Sequence, residues 1–336
     1  MKKSLLKRYN VIMMVVLVGF GFLFCTSPAQ ALTIIPPSME IDLTPGVPYN
    51  DQIKLFNETD YPVTLYTEIT NFTASDDGTK PQYEFGLELT DVATWIQVEP
   101  GPFVLQPKER RSVPFIINPP AEADPGGHYA IIFFSNNPPQ IKEPGKVKIG
   151  SKLGTLILSN VAGDITEAGS IDSFLTVDKS VYFNYLPVQL QLTFNNTGNV
   201  HIRPSGTITI QNIFGKTVKT LDINTVGSAT LPKTARSYQT VWEKAPVLHT
   251  TNNWLGQFWE ELKNEKDNFA FGKYTASASL VAGQDNQITK QAVVSFWVIP
   301  WRLLIIFCVG AIIILLGLIR MIKGYNRWII RHGQSK

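Results

Sequence analysis

Cysteine is nearly absent from this chain of 336 residues, which contains two. Cys25 and Cys308 both lie in apolar stretches near the ends, so the body between them has none. Such a body has no disulfide bonds and no thiolate metal ligands, and its stability must come from its hydrophobic cores. Cys25 follows the bulky Phe24, whereas a lipidated cysteine follows a small residue, so we interpret Cys25 as an ordinary signal-peptide residue.

Motifs for catalysis and metal binding are also missing. His128, His201 and His249 lie in different segments without the spacing of metal ligands. The sequence has no Gly-x-Ser-x-Gly elbow and no glycine-rich phosphate loop. Asp76 and Asp77 precede a glycine, a pattern that favours a plain turn over a weak calcium site. We therefore predict no enzyme activity, no catalytic or metal-binding residue and no cofactor.

A basic face for nucleic acid is absent as well. The formal net charge of the chain is +3, and much of the positive excess falls in the two ends. The body between them is mildly acidic, whereas a nucleic-acid-binding domain carries clustered lysine and arginine. We predict no nucleic-acid partner.

The N-terminus has the pattern of a secretory signal peptide. Lys2, Lys3, Lys7 and Arg8 precede the uncharged run Val11–Phe24. Ala29-Gln30-Ala31 then supplies a small-x-small cleavage site, in which Ala29 and Ala31 are the recognised residues. The sequence predicts a signal peptide over residues 1–31 and an exported body.

The C-terminus has the pattern of a membrane anchor. Val298–Ile319 is apolar apart from Arg302, and about twenty apolar residues span a bilayer core. We predict a transmembrane helix over 297–319 and a basic tail over 320–336, which the positive-inside rule places in the cytoplasm. The ectodomain is then extracellular, on a single-pass membrane protein. The predicted anchor residues at the two membrane interfaces are Trp297, Trp301, Arg302, Arg320 and Lys323.

The body reads as short β-strands separated by Pro, Gly, Asn and Asp turns. Strands at this spacing, with one helical segment among them, predict an all-β fold of two tandem Ig-like antiparallel β-sandwiches over 32–163 and 164–296. The first set of predicted strands is Met39–Leu43, Gln52–Phe56, Val63–Ile69, Thr94–Val98, Ser112–Ile117, Tyr129–Phe134 and Lys152–Val161. The second set is Phe174–Val177, Gln189–Phe194, Gly206–Gln211, Val218–Ile223, Ser237–Trp242, Tyr274–Leu280 and Gln291–Val298.

Two landmarks recur in the same order in both halves. A strand ending in a polar turn, Phe56–Asp60, corresponds to Phe194–Gly198. A glycine and a tyrosine that open a late strand, Gly127–Ala130, correspond to Gly272–Thr275. The repeat supports two copies of one sandwich.

One segment of the body, about 253–268, has helical periodicity. Trp254, Phe258 and Trp259 fall on its apolar face with two leucines, and charged residues occupy the rest. This inserted amphipathic helix either binds a partner, faces the membrane or covers an open end of its own sandwich. Trp254, Phe258 and Trp259 are our candidate partner-binding residues.

The pentapeptide Leu231–Ala235 resembles a sortase cleavage signal. Such a signal stands directly before the apolar segment, whereas predicted strands intervene here. We predict instead a loop that leads into Ser237–Trp242.

The first half resembles the N-terminal domain of bacterial WxL-interacting proteins. The resemblance rests on Leu43–Gly46 followed by Lys54–Asp60, Ile69–Asn71 leading to Gly78 and Tyr83, Trp95-Ile96 with Val104–Pro107, and Val113–Phe115 leading to Pro125–Gly127. The layout of signal peptide, two Ig-like domains, membrane helix and basic tail also agrees. The resemblance implies a protein of the bacterial surface that binds peptidoglycan and secreted WxL partners.

The leading hypothesis is a non-enzymatic, membrane-anchored surface protein that binds cell-wall polymer or another exported protein. A sheet edge or the aromatic helix would provide the contact. The alternative is a membrane-bound assembly factor or chaperone that acts on exported subunits by strand addition. An enzyme with two acids converging in a cleft and a simple spacer are the remaining readings, because sandwich folds host all of these.

Overall fold

The computed structural model describes residues 32–83, 88–138, 152–247, 249–284 and 287–333, with side chains as far as residue 327. The fold is all-β, with two β-sandwiches in tandem and a C-terminal apolar helix. The predicted signal peptide, with Ala29 and Ala31, lies outside the described residues.

The strands of the first sandwich are β1 (Leu32–Ile35), β2 (Ser38–Leu43), β3 (Tyr49–Asn57), β4 (Val63–Ala74), β5 (Pro81–Tyr83), β6 (Ile96–Val98), β7 (Phe103–Leu105), β8 (Arg110–Ile117), β9 (Gly126–Ser135) and β10 (Lys152–Val161). Those of the second are β11 (Gly169–Thr176), β12 (Tyr182–Phe183), β13 (Val188–Asn196), β14 (Ser205–Asn212), β15 (Thr217–Ile223), β16 (Thr234–Trp242), β17 (Gly272–Ala282) and β18 (Ile288–Val298). The helices are α1 (Val92–Trp95), α2 (Trp254–Asp267) and α3 (Trp301–Gly333).

In the first sandwich, one sheet has the order β1-β3-β8-β6 and the other β2-β10-β9-β4-β5, with β7 also paired to β4. In the second, β11-β13-β16 faces β12-β18-β17-β14-β15. Most pairs are antiparallel, and β2 with β10 and β12 with β18 are parallel. Each sandwich therefore has its own pair of sheets, and within the described residues α2 is inserted between β16 and β17.

Alternation along the strands explains the two cores. In β8, Val113, Phe115 and Ile117 are buried while the residues between them face outward, which is the two-residue period of a pleated strand. Residues of this kind form one core per sandwich. In the second core, the ring of Trp242 lies 4.9 Å from that of Tyr274. Burial of such large aromatic side chains supplies much of the hydrophobic stability of this core.

A buried asparagine ends the same strand in both sandwiches. The Asn57 side-chain amide donates to the carbonyls of Tyr61, Leu105 and Gln106 at 2.9, 3.2 and 3.0 Å. The Asn196 amide donates to the carbonyls of Val200 and Thr230 at 2.8 and 3.0 Å. Asn57 thus corresponds to Asn196, so the predicted landmark alignment was wrong by one residue, because it matched Asn57 with Asn195.

The second landmark shows the same shift. Gly126 and Gly272 both open their strands with positive φ, 126° and 109°. His128 and Tyr274 then occupy the equivalent buried positions, while Tyr129 lies on the other face of β9. A one-residue slip turns every side chain to the opposite face, which is why sequence similarity alone misassigned the two tyrosines.

The corrected alignment predicts which asparagine stabilises each sandwich. We expect Asn57→Ala and Asn196→Ala each to lower the free energy of unfolding by about 2–3 kcal/mol, because buried carbonyls lose their donors. Asn195→Ala should change it by less than about 0.5 kcal/mol, since its half-buried side chain takes no part in that turn. Denaturant unfolding of the three variants measures this, and a large effect at Asn195 would contradict the alignment.

The strands differ from the sequence predictions in a few places. Residues before Ile96 form the short helix α1, so the predicted strand Thr94–Val98 is shorter. The predicted strands did not include β1, β5, β7 and β12, which have two to four residues each. Runs this short carry too little periodicity to be recognised. Lys152–Val161 is confirmed as β10.

Helix α2 agrees with its predicted bounds. Asn253 is the N-cap and accepts from the backbone N–H of Gly256, and Asn268 is the C-cap. Helix α3 instead begins at Trp301, whereas the predicted membrane helix began at Trp297. Trp297 lies in β18, paired with Lys273, because Pro300 keeps the preceding residue extended. The predicted span placed this residue wrongly.

Helix α3 also continues beyond the predicted end of the span. It runs through the residues assigned to the basic tail as far as Gly333. Its stretch Trp301–Arg327 is, among the described residues, the one helix long and apolar enough to cross a membrane. Arg320 and Lys323 lie in the C-terminal half of that stretch, and both side chains are exposed.

Candidate functional site

The two sandwiches contact each other through the turn between β4 and β5. The Asp77 carboxylate accepts from the Ser75 hydroxyl at 2.6 Å and the Thr79 hydroxyl at 2.7 Å. These hydrogen bonds hold the pKa of Asp77 well below its usual range. The Asp77 carbonyl accepts from Ser237 N–H of β16 at 3.4 Å. Asp76-Asp77-Gly78 is therefore a turn that docks on the second sandwich.

An apolar cluster lies beside that turn. Phe72, Ile131 and Phe133 on the outer face of the first sandwich pack with Leu231 of the second. Leu231 opens the pentapeptide that resembles a sortase signal, and Thr234 of the same pentapeptide begins β16. The predicted loop leading into a strand is confirmed.

His201 lies in the same interface. Its Nδ1 is 3.3 Å from the Tyr129 hydroxyl, and its Nε2 is 3.5 Å from a Glu40 carboxylate oxygen. Burial lowers the pKa of His201 despite that carboxylate, so the imidazole is neutral at pH 7. Arg203 also pairs with Glu40. The histidine thus joins the two sandwiches.

The other body histidines stand apart from it. His128 contacts Asp91 and the Asp124 carbonyl; burial alone would lower its pKa, but these hydrogen bonds raise it overall. His249 is exposed, 3.9 Å from Glu261. Over the part of the chain that the structure describes, no group of three His, Cys, Asp or Glu side chains is placed to hold a metal ion.

The second sandwich has an open groove along one side, which we call the edge groove. Its walls are β15 and β16, the last strands of their respective sheets within the described residues. The Asp77 turn accepts from Ser237 N–H near the start of β16, so the rest of that edge, from Tyr238 onward, is open. Its lining includes Leu221, Val226, Tyr238, Thr240 and Val241. Unpaired edges present backbone N–H and C=O groups that can extend either sheet.

The floor of the edge groove carries an unsatisfied hydroxyl. Thr240 Oγ1 is buried and, among the described residues, has no hydrogen-bond partner. Tyr238, two residues earlier on the same face, is fully bonded: its hydroxyl donates to the Ser228 carbonyl at 3.1 Å and contacts Thr230 at 2.8 Å. At the rim, Val226 is 88% exposed. The groove therefore offers backbone edges, an apolar rim and one free polar group.

The predicted partner-binding residues on α2 are exposed. Trp254 is 75% and Trp259 62% exposed, and Phe258 packs edge-on against Trp259 with ring centroids 5.7 Å apart. The residues of α2 that are buried are polar, Asn264 and Glu265. The hypothesis that Trp254, Phe258 and Trp259 cover an open end of their own sandwich is therefore wrong, because these side chains face outward.

Two acids fix α2 to the start of α3. The Glu265 carboxylate is fully buried and accepts from the Arg302 guanidinium at 3.1 Å and from Leu303 N–H at 2.9 Å. Glu261 contacts the same guanidinium at 3.2 Å. Glu265 thus caps the positive N-terminal end of the apolar helix from a neighbouring element. Arg302, predicted as a lipid-interface anchor, is here an internal ion-pair partner.

Comparison with known proteins gives little. No family model and no curated protein matches the chain. Among solved structures, a class 5 fimbriae chaperone, CfaA, is 10% identical with a TM-score of 0.38, covering 80% of this chain and 100% of its own. The E. coli chaperone DraB is 13% identical with a TM-score of 0.34, covering 80% and 97%.

A chaperone–adhesin subunit complex from Acinetobacter baumannii, CsuC–CsuE, is 12% identical with a TM-score of 0.32, covering 62% of this chain and 89% of its own. All three TM-scores are below 0.5, so these likenesses carry no argument about function. The resemblance to WxL-interacting proteins stays a prediction.

The edge groove could not be predicted from the sequence. Leu221, Val226 and Thr240 lie far apart in sequence or look like ordinary strand and loop residues. Which strand ends a sheet depends on the pairing order, and a single sequence does not show that order. The one available signal is the isolated valine at position 226 within a polar loop.

Proposed function

We propose that this chain is a non-enzymatic, single-pass membrane protein of the cell surface that binds an extended segment of an exported protein. The edge groove of the second sandwich is the binding site, and strand addition is the mode of binding. Helix α3 anchors the chain, and both sandwiches lie outside the membrane. The observation that supports this proposal is that β15 and β16 end their sheets and that the buried Thr240 hydroxyl, on the inward face of β16, has no hydrogen-bond partner among the described residues.

The chemistry of the groove defines the ligand. An added strand hydrogen-bonds to an open edge through its backbone, and its alternate side chains point between the sheets. Leu221, which packs against the core of this sandwich, favours an apolar side chain at those positions, and Thr240 supplies one hydrogen bond. The expected ligand is a short segment that alternates apolar and polar residues, with a donor or acceptor opposite Thr240.

The basic residues at the end of α3 support the proposed orientation. Arg320, Lys323 and Arg327 follow the apolar stretch, and Glu and Asp are absent beyond residue 303. Lysine and arginine near the end of a span favour the cytoplasmic side. The sandwiches then face the outside, where an exported partner is present.

Site-specific photo-crosslinking tests the proposal. Benzoylphenylalanine replaces Val226 at the groove rim, or Val47, which is exposed on the first sandwich, in the full chain in cells. We expect adducts from position 226 whose crosslinked peptide, identified by mass spectrometry, lies in an alternating extended segment of an exported protein. Adducts of equal yield from both positions, or none from 226, would reject the edge groove as the site.

Cell-wall polymer is distinguished by a second measurement. The purified full chain in detergent is sedimented with isolated sacculi in moderate salt. The chain carries Val226→Cys with Cys25 and Cys308 replaced by serine, so that a maleimide attached at position 226 blocks the groove. Retention that persists in the blocked protein would identify wall polymer as the ligand and would exclude the groove as its site. No retention leaves the exported polypeptide as the ligand.

Removing the Thr240 hydroxyl is expected to raise the stability of the protein and to weaken its binding of the partner. We expect Thr240→Val to raise the free energy of unfolding by about 1 kcal/mol, because a buried unpaired hydroxyl is removed. The same change should reduce the crosslinking yield at position 226 severalfold. Thr67→Val is the matched control, since Thr67 Oγ1 is also buried without a partner, in the first sandwich. It should stabilise equally and leave crosslinking unchanged; equal crosslinking in both variants would deny Thr240 a binding role.

A further inference from the structure

We infer that the second sandwich rests on the bilayer that α3 enters, with its lower end inserted at the level of the lipid headgroups. This inference rests on the proposed membrane anchorage. The lower end, here called the base, is defined by exposed apolar residues at one end of the sandwich: Ile213, Phe214, Trp254, Trp259, Phe271 and Trp297.

Strand register brings these residues to one end. Asn212, beside the hairpin tip Ile213-Phe214, pairs with Tyr274 at the start of β17, and Tyr274 pairs with Phe296 near the end of β18. The hairpin tip is therefore level with the last residues of β18. Trp297 and Tyr182 also pair with each other at this level. Aromatic side chains from separate segments thus converge where the chain leaves the sandwich.

The connection to the membrane helix is short. Strand β18 ends at Val298 and α3 begins at Trp301, so Ile299 and Pro300 alone intervene. Two residues span at most about 7 Å. The base consequently lies within a few ångströms of the first turn of α3, which is the depth of the headgroup region when α3 spans the bilayer.

Helix α2 is held at the same depth. Its Glu261 and Glu265 bind Arg302 in the first turn of α3, and Trp254 and Phe258 line a groove with Trp301. The buried contact fixes α2 beside the membrane entry point, with Trp259 on an exposed side. An amphipathic helix with tryptophan on its apolar face is the kind of element that lies in a membrane interface.

Lipid is the occupant that the composition favours. The exposed apolar residues of the base are mostly aromatic, three of them are tryptophan, and tryptophan at a membrane entry point is typical of an interfacial belt. Lys216 beside the hairpin tip and Lys273 beside Trp297 are exposed cations that suit lipid phosphates. The patch is also continuous with α3, whose exposed apolar surface already faces lipid in the proposed topology.

Depth-dependent quenching tests the inference on the full chain. Cys25 and Cys308 are replaced by serine, and an environment-sensitive nitrobenzoxadiazole label is attached at Phe214→Cys or Val226→Cys. These two positions are 89% and 88% exposed, and they flank opposite ends of β15. The strand of seven residues separates them by about 23 Å. Labelled protein is placed in nanodiscs of phosphatidylcholine and phosphatidylglycerol that carry a 5-doxyl lipid.

We expect the label at position 214 to be quenched at least twofold and to emit at shorter wavelength, and the label at 226 to be unaffected. Co-elution of the protein with the nanodisc is measured first. A chain that does not co-elute contradicts the proposed membrane anchorage, and the position of the base is tested on chains that do co-elute. An inserted chain with equal signals at both positions would overturn the inference. If the cysteine at position 214 were protected from labelling in cells but not in nanodiscs, the inference would also be overturned, in favour of a protein partner.

Discussion

Replacing Arg302 with alanine is expected to lower the free energy of unfolding of the second sandwich by about 3–5 kcal/mol, because the change leaves a buried carboxylate without its cation. Glu265 is fully buried, and the guanidinium is its charged partner among the described residues. The Arg302 side chain is itself only 17% exposed, so water does not substitute for the lost contact. We expect α2 to detach from α3, which hydrogen exchange of α2 in nanodiscs measures directly.

A double substitution separates charge from packing. Arg302→Ala with Glu265→Ala removes both charges, so it should recover part of the stability lost in Arg302→Ala. Lys263→Ala, on the exposed side of α2, is the control and should change stability by less than about 0.5 kcal/mol. If the double variant were as unstable as the sum of the two single variants, the pair would not be coupled, and α2 would be held by other contacts.

Much of the fold could be predicted from the sequence because each strand repeats a two-residue period. Ser112–Ile117 and Gln189–Phe194 lie within strands, and the helical stripe Trp254–Trp259 lies within α2. These patterns depend only on residues close together in sequence, so they can be recognised from the sequence alone. The C-terminal apolar helix could also be predicted from its apolar length. Its predicted start was wrong by four residues because the end of strand β18 and the two residues after it are also apolar.

The candidate sites were harder to predict because they depend on pairing order and on distant contacts. The edge groove exists because β15 and β16 end their sheets. The hydrophobic periodicity of a strand does not show its place in the sheet. The buried Glu265 looks in sequence like any charged residue on the solvated face of an amphipathic helix. Its partner Arg302 lies 37 positions away, across two strands. Only the folded chain shows that these two charges meet and that the aromatic face is left open.

Gly78, in the turn at the interface between the sandwiches, is the second position at which we expect a substitution to have a large effect. This residue has φ of +66°, and a Cβ atom there would lie 2.1 Å from the Ala235 carbonyl oxygen of the second sandwich. Alanine would therefore meet two penalties, about 1 kcal/mol for the left-handed backbone and about 1–3 kcal/mol for the clash. We expect Gly78→Ala to displace the turn and to break the hydrogen bond from Arg236 to the Thr79 carbonyl.

Gly215 is the matched control for that change. Its φ is +74°, but a Cβ there would meet nothing within 4 Å, so Gly215→Ala bears the backbone cost alone. Spin labels at Val47 and Val218, exposed on the first and second sandwich, report the distance between them in the full chain. We expect a broad distance distribution in Gly78→Ala and an unchanged one in Gly215→Ala. Val226 lines a cleft between the sandwiches together with Gly78 and Thr79, so the same displacement should also change the crosslinking yield at Val226. An unchanged yield would mean that the interface does not shape the edge groove.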